Sequence, residues 1–547
     1  MGTQEIFTRK ASGLIRVMSP FSAFVYNVLT MGLIFPWVFL QAPAAFPGSS
    51  LWLGILICTF FQTFLALTFA FLASAMPRSG GDYIFQSRIL GGGLGYTAVM
   101  SGFVIWILQW VALSGWLFAS LGLGPMFMAL GVKLSSSALL NFGLWCQGPM
   151  GNIIITLFLA AFTAFFLCTG FKNYVFVQWF LFGAVLIAFF LVLIVLAATK
   201  TESFALKFND FMSRLAVMKG EQPIVDTYRQ IMEEVKFTGF NLKPHFGFLA
   251  TLGVIPIVWM SLMWSSYSVH QGSEIKSGNS MKNQIYIIVI SLWVTGILLA
   301  LQGWFFQKAA GHEWLVAISA ESYGYAAVET FSLGDIVYPF PSTLVMALSH
   351  PVIVILIGIG YMANAWQVTN NCYIGMTRDV VAMSLDRTLP EWFSRVHPRL
   401  HTPVNAHLAY FIASVPWILA YNLVPVWFEW TLGVSFAGGY VFLLTALSGI
   451  LFPKKAPSIY QASPSAKFGK LIVLTGTIGF LFALIIVISF LVVPNLGLTF
   501  FIPGGWKPAL LVIGIIVFSF LIYLASKAYH GKRGMDVTLA FKEIPPE

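Results

Sequence analysis

Apolar residues in this chain come in long unbroken runs, not in alternation with polar ones. A helix needs about 20 apolar residues to cross the hydrocarbon layer of a membrane. Twelve such runs are read at 20–42, 51–76, 96–128, 152–170, 174–198, 246–270, 284–306, 343–376, 405–422, 427–452, 470–493 and 507–526. The eighth is predicted to continue as helix to about Ser384. Ten-residue segments of period-two alternation, the mark of membrane barrel strands, are absent, so the runs predict helices. The expected fold class is all-α, a polytopic membrane protein with 12 transmembrane helices.

Interruptions inside the runs carry the next layer of information. In the first run, Asn27 is followed by Thr30-Met31-Gly32-Leu33-Ile34-Phe35-Pro36. Glycine is a poor helix former, and proline removes a donor and clashes with the preceding turn. Backbone groups freed in this way inside a membrane must be satisfied by protein, water or ligand. The sixth run repeats the theme, with Gly253 and Pro256 ahead of Trp259-Met260-Ser261-Leu262-Met263-Trp264-Ser265-Ser266. Broken helices at corresponding places in two halves point to a midplane binding site, although glycine and proline are also common in membrane helices generally.

Amides add to this picture. Asn364, Gln367, Asn370 and Asn371 in the eighth run fall at steps of three and four, hence on one helix face. Amides are costly in lipid, so that face is expected to look toward a cavity or another helix. Gln109 sits between Trp106 and Trp110 in the third run and reads as a packing contact or a pocket group. Carboxylates are informative by their absence: no Asp or Glu falls in the middle of a run, Glu429 at the start of the tenth being the nearest. His270, near the end of the sixth run, is titratable; a lone helix histidine more often packs as a structural residue than couples protons.

Composition agrees with the class. The chain is 58% hydrophobic and 9% charged, with mean hydropathy +0.84, against about 25% charged for a soluble domain. If the N-terminus is cytoplasmic, the inner segments hold 20 of the 30 basic residues, and 7 of the remaining 10 lie in the segment 199–245. Long loops cross regardless of charge, so the bias is strongly positive-inside. Both termini are expected in the cytoplasm, and the net charge of +10 calls for no nucleic-acid partner. The segment 199–245 also holds six acidic residues and an amphipathic stretch from Val225 to Phe237. It reads as an external loop with one or two surface helices, a connector more than a cap. The four cysteines have no metal spacing and read as free thiols. No cofactor and no metal site is expected.

Two stretches carry a family resemblance. Residues 75–96, AMPRSGGDYIFQSRILGGGLGY, resemble the loop between spans 2 and 3 of the amino acid–polyamine–organocation (APC) permeases. Residues 378–403, RDVVAMSLDRTLPEWFSRVHPRLHTP, resemble the segment after span 8 of that family, and Gly272-Ser273-Glu274-Ile275-Lys276 is a shorter match after span 6. The resemblance implies a five-plus-five inverted repeat with broken helices 1 and 6, plus two C-terminal helices. The domains would be 1–198 and 246–452 for the repeats, 199–245 for the insertion, and 453–547 for the last two spans and a cytoplasmic tail. It implies substrate contacts at Thr30, Met31 and Gly32 in span 1 and at Met260, Ser261 and Leu262 in span 6, with Asn27, Gln109, Ser265, Asn364, Gln367 and Asn371 as further candidates. It also implies a cytoplasmic gate of Arg78, Asp82, Glu274, Arg378, Asp379 and Asp386.

The sequence departs from the family in two places. The usual Gly-x-Gly of span 1 is Thr30-Met31-Gly32, and a span 5 lysine of some proton-linked members is Val185. Thr369 is a loose match to a sodium-binding hydroxyl, so the coupling ion, sodium or proton, stays open. The expected activity is secondary transport of amino acids across the plasma membrane by alternating access. The pocket candidates Met31, Met260 and Leu262, with no carboxylate, lean toward neutral substrates. A sensor or channel on the same fold, or an amine or polyamine permease, are the alternatives. No nucleophile–base pair supports an enzyme. The lipid bilayer is the one further partner read, and nothing fixes the oligomeric state.

Overall fold

A computed structural model describes residues 12–34, 36–223, 225–242, 245–326, 340–424, 427, 433–496 and 506–544. Glu429 lies outside them. Among the described residues there is no strand, only two isolated bridges, and eleven helices are long and apolar enough to cross a membrane. The first apolar run is not among those eleven, because it is split into α1 (Pro20–Met31) and α2 (Val38–Ala45). Then come α3 (Leu51–Ala75), a short α4 (Gly81–Ile89), α5 (Gly92–Lys133), α6 (Pro149–Cys168) and α7 (Phe171–Ala198). Two helices of the 199–245 segment follow, α8 (Thr201–Lys219) and α9 (Thr227–Phe237). The remainder is α10 (Phe248–His270), α11 (Met281–Ala310), α12 (His312–Ser322), α13 (Pro341–Leu348), α14 (Pro351–Leu385), α15 (Val404–Leu423), α16 (Gly433–Lys455), α17 (Leu471–Val492) and α18 (Trp506–Gly531).

Proline marks several helix starts, as its missing N–H demands. Pro20 opens α1 behind Ser19, whose side chain accepts from the Ser22 N–H at 3.0 Å. Pro351 opens α14, and this separates a run read as one span from 343 into α13 and α14. Ser349 and His350 are extended there, the conformation that proline imposes on the residue before it. From Pro351 the helix runs unbroken to Leu385, so the expected extension to about Ser384 is present.

α14 is the hub of the bundle and packs against α1, α5, α6, α7 and α15. Its middle and C-terminal half are buried, including every amide from Asn364 to Asn371. α7 and α18 instead expose large apolar side chains such as Phe176, Phe180, Leu510 and Phe518, as lipid-facing helices do.

The 199–245 segment is more than a connector. Phe204 and Phe208 of α8 each lie 5.1 Å from the ring of Trp314 in α12, and Tyr228 of α9 stacks on that ring at 5.3 Å. Trp314 is completely buried by them. α12 continues the connection to α2: Ser319 Oγ donates to Leu40 O at 2.6 Å and accepts from Ala44 N at 3.2 Å. The insertion is therefore docked onto α12 and linked through it to the second half of the broken first span. The contact is made by aromatic groups some hundred residues apart in the chain.

Candidate functional site

The break in the first span falls where the sequence predicts it. α1 ends at Met31, and Gly32 has φ 74°, a left-handed conformation that a side chain resists. The carbonyls left without helix partners are satisfied from other elements. Asn364 of α14 donates to Leu29 O at 3.0 Å, and Ser342 of α13 donates to Ile34 O at 3.4 Å. Asn371 donates to Thr30 Oγ1 at 2.6 Å, and that hydroxyl donates in turn to Tyr26 O. Two of the α14 amides thus hold the broken end of α1.

The same amides reach α7. Gln367 donates to Asn371 Oδ1 at 2.7 Å and to the Tyr174 hydroxyl. That hydroxyl lies 3.0 Å from Asn371 Oδ1 and 2.8 Å from Gln178 Oε1, and Gln178 donates to Ser22 O at 2.9 Å. A buried polar chain therefore joins α1, α7 and α14. Tyr174 and Gln178 had no signal in the sequence beyond being polar residues in an apolar run. Asn370 is on the same helix face but donates to Trp366 O of its own helix.

Next to this chain is a small cavity of about 20 Å³ lined by Thr30, Ile107, Trp110, Trp264, Tyr267, Val368, Asn371 and Cys372. No charged side chain lines it. The indole N–H groups of Trp110 and Trp264 and the Tyr267 hydroxyl are buried without a hydrogen-bond partner. Unsatisfied donors of this kind suit an acceptor brought by a ligand.

Several expected contacts lie elsewhere. Met260, Ser261 and Leu262 stay within regular α-helix, because the chain coils as α-helix from Ile255 to Leu262 and tightens to 3₁₀ only over Met263–His270. Pro256 sits in the first turn of that helix, where it is tolerated, so it does not break the span at the site. The α10 residues on the cavity are Trp264 and Tyr267, two to seven residues further on. Ser265, between them, is buried with an unpartnered hydroxyl. Trp110 lines the cavity and Gln109 does not; the Gln109 amide is buried without a partner. Asn27 is fully used, donating to Ser268 Oγ and Ile287 O at 3.0 Å and accepting from Ser268 N at 2.9 Å. It ties α1 to α10 and α11. Thr369 pairs with Ser114 of α5 at 2.8 Å and donates to Ala365 O, so its oxygen faces α5 and its own helix. Met31 and Val185 are buried.

The motif residues gather at the C-terminal ends of α10 and α14, just beyond the cavity, and nearly all are buried. Arg378 forms a two-pronged pair with Glu274, Nε to Oε2 at 2.8 Å and Nη2 to Oε1 at 2.9 Å. Its guanidinium lies 4.9 Å over the Phe171 ring and 3.3 Å from His407 Nε2. Asp379 Oδ1 is 2.9 Å from His270 Nδ1, and Asp82 Oδ2 is 3.7 Å from His270 Nε2. Thr445 of α16 donates to Asp82 Oδ1. Burial pushes the Asp82 carboxyl up to about 7, opposed by His270 and the Thr445 hydroxyl. Asp386 takes Arg88 Nη1 at 2.7 Å and the Tyr83 hydroxyl at 2.7 Å. The buried cation from the loop is thus Arg88. Arg78 is half-buried and donates to Pro77 O at 3.2 Å. One arginine among many near a membrane face gives no sign of an acidic partner some 300 residues away.

The glycines of Ser79-Gly80-Gly81-Asp82 are explained by closeness. A Cβ on Gly80 would lie 2.6 Å from the Ala382 side chain, and one on Gly81 2.5 Å from Val269. Both have positive φ. They let α4 approach the ends of α10 and α14, where Gly80 N donates to His270 O at 3.0 Å.

A broken first span braced by α14, a neutral cavity beside the break and a buried cluster of ion pairs beyond it complete the site's geometry. The Amino acid permease family profile matches residues 19–521, nearly the whole chain. The chain belongs to the amino acid permease family. No curated protein matches it. The permease is a multi-pass membrane protein of a class that transports amino acids, and its small-molecule partner is an amino acid.

Proposed function

We propose that this permease is a secondary transporter, not an enzyme, that carries neutral amino acids across the plasma membrane by alternating access, with both termini in the cytoplasm. The observation that carries this reading is the uncharged cavity against the broken end of α1. Three unpartnered donors there, on Trp110, Trp264 and Tyr267, suit the carboxylate of an amino acid. Thr30, in the last turn of α1 before the break, brings the end of that helix to the cavity wall. An arginine or lysine side chain would need a counter-charge in the cavity, and none lines it.

Alternating access supplies a reason for the charged end. Arg378–Glu274, His270–Asp379 and Arg88–Asp386 hold α10, α14 and α4 together. They would part as one group of helices rocks against the other, in the manner of a repeat-built carrier. The domain partition at 198, 245 and 452 and the five-plus-five arrangement belong to this proposal. Support comes from irregular backbone at Gly32 and at Met263–His270, in the first and sixth apolar segments.

The test is counterflow in proteoliposomes loaded with unlabelled amino acids. Exchange of leucine-like or methionine-like label, with none of arginine, is the expected result. Exchange of arginine alone would overturn the neutral-substrate reading. Saturable binding without any exchange would favour a sensor.

A further inference from the structure

The transport reading leaves open which ion drives the cycle. Val185 stands where some proton-linked relatives have a lysine. Another buried group meets the requirement. His270 is 1% exposed, at the end of α10, with a carboxylate near each ring nitrogen: Asp379 Oδ1 at 2.9 Å from Nδ1 and Asp82 Oδ2 at 3.7 Å from Nε2. Both carboxylates are as deeply buried, and Asp82 Oδ2 and Asp379 Oδ2 have no hydrogen-bond donor. We infer that His270, Asp379 and Asp82 form the coupling-ion site of this permease and that the ion is a proton.

The chemistry favours a proton over sodium. Hard metal cations take oxygen ligands, whereas an imidazole between two carboxylates is a proton site. The groups facing the ring are Asp379 from α14, Asp82 from α4, and Tyr267 of α10 at 5.0 Å between ring centres; Phe103 of α5 covers it at 5.5 Å. Arg378, next to Asp379 in the chain, is neutralised by Glu274. With one proton the trio carries about one negative charge, and without it two.

Tyr267 links the site to the substrate, since it lines the cavity on one side and touches His270 on the other. Opening the charged end would separate α4 from α10 and put Asp82 in water. Its carboxyl, held near 7 by burial, would then fall toward the ordinary carboxylate value and release its proton. The sign follows: the closed end is favoured below about pH 7 and loses that stabilisation as pH rises through it. One proton leaves the outer solution and one enters the cytoplasm per cycle, so uptake of a zwitterion moves one positive charge inward.

The test uses the full chain in proteoliposomes, with a substrate chosen by counterflow. An inward gradient of about two pH units sets a ceiling of about a hundredfold accumulation for one proton per substrate. Wild type is expected to accumulate label at least tenfold under that gradient (about a tenth of the ceiling), to alkalinise the outer medium when substrate is added, and to ignore a sodium gradient. His270→Gln and Asp379→Asn are expected to abolish accumulation, and any residual counterflow should lose its pH dependence. Should neither variant fold, the wild-type dye and sodium measurements decide alone. Substrate entry without proton movement, or sodium-driven accumulation, would overturn the inference while leaving transport standing. No counterflow with any amino acid would overturn the transport reading and this inference with it.

Discussion

In the middle of the bundle the buried polar groups are amides, hydroxyls and indoles, several with a hydrogen-bonding atom to spare. At the motif end they are full charges, each facing an opposite or titratable partner. The difference follows from what each region has to do. A spare neutral donor costs about 1–3 kcal/mol until a partner completes it. An unpaired buried charge costs several kcal/mol, so a charged seal must be closed by partners. On the transport reading proposed above, a substrate finishes the middle, whereas the charged end is finished by its own partners.

The sharpest way to break this comparison is to unpair the end. Arg378→Ala strands Glu274 and is expected to cost on the order of 3–5 kcal/mol, read as a large fall in the unfolding temperature of the purified permease. Arg378→Met with Glu274→Leu should recover most of that stability, because a buried pair replaced by apolar groups of similar size is often neutral. A single variant as stable as wild type would show that the charges hold nothing. In the middle, Asn364→Ala leaves Leu29 O unsatisfied and is expected to cost about 1–3 kcal/mol, with loss of exchange. Gly32→Ala forces a side chain into a left-handed conformation at about 1–2 kcal/mol. The smallest effect on stability is expected from Tyr267→Phe, since its hydroxyl has no partner to lose. There the substrate KM should rise about threefold to tenfold while the unfolding temperature stays put, the loss of one hydrogen bond to ligand. A stability loss with unchanged KM would place that hydroxyl in the fold, not in the site.

What the sequence shows depends on whether the cause is local. The apolar runs are local, and their helices match the reading to within a few residues at most ends. The break at Gly32 was legible because glycine and Pro36 act on their own neighbours. The irregular stretch of α10 was read too early, since Pro256 was a visible breaker whereas Met263–His270 tightens without glycine or proline. Its cause is tertiary: Asn27 holds Ser268 from α1, and Asp379 holds His270 from α14. Arg88 was hidden for the same reason. Its identity as a buried cation depends on Asp386, which the chain brings back only after folding.

Trp314 gives the insertion a reach that its position would not suggest. Because α8 and α9 grip this ring, and Ser319 five residues further on is bonded to α2, the insertion, α12 and the second half of the first span form one mechanical piece. A binder that clamps α8 to α9 would then act as a brake, slowing the cycle from a surface the substrate never touches.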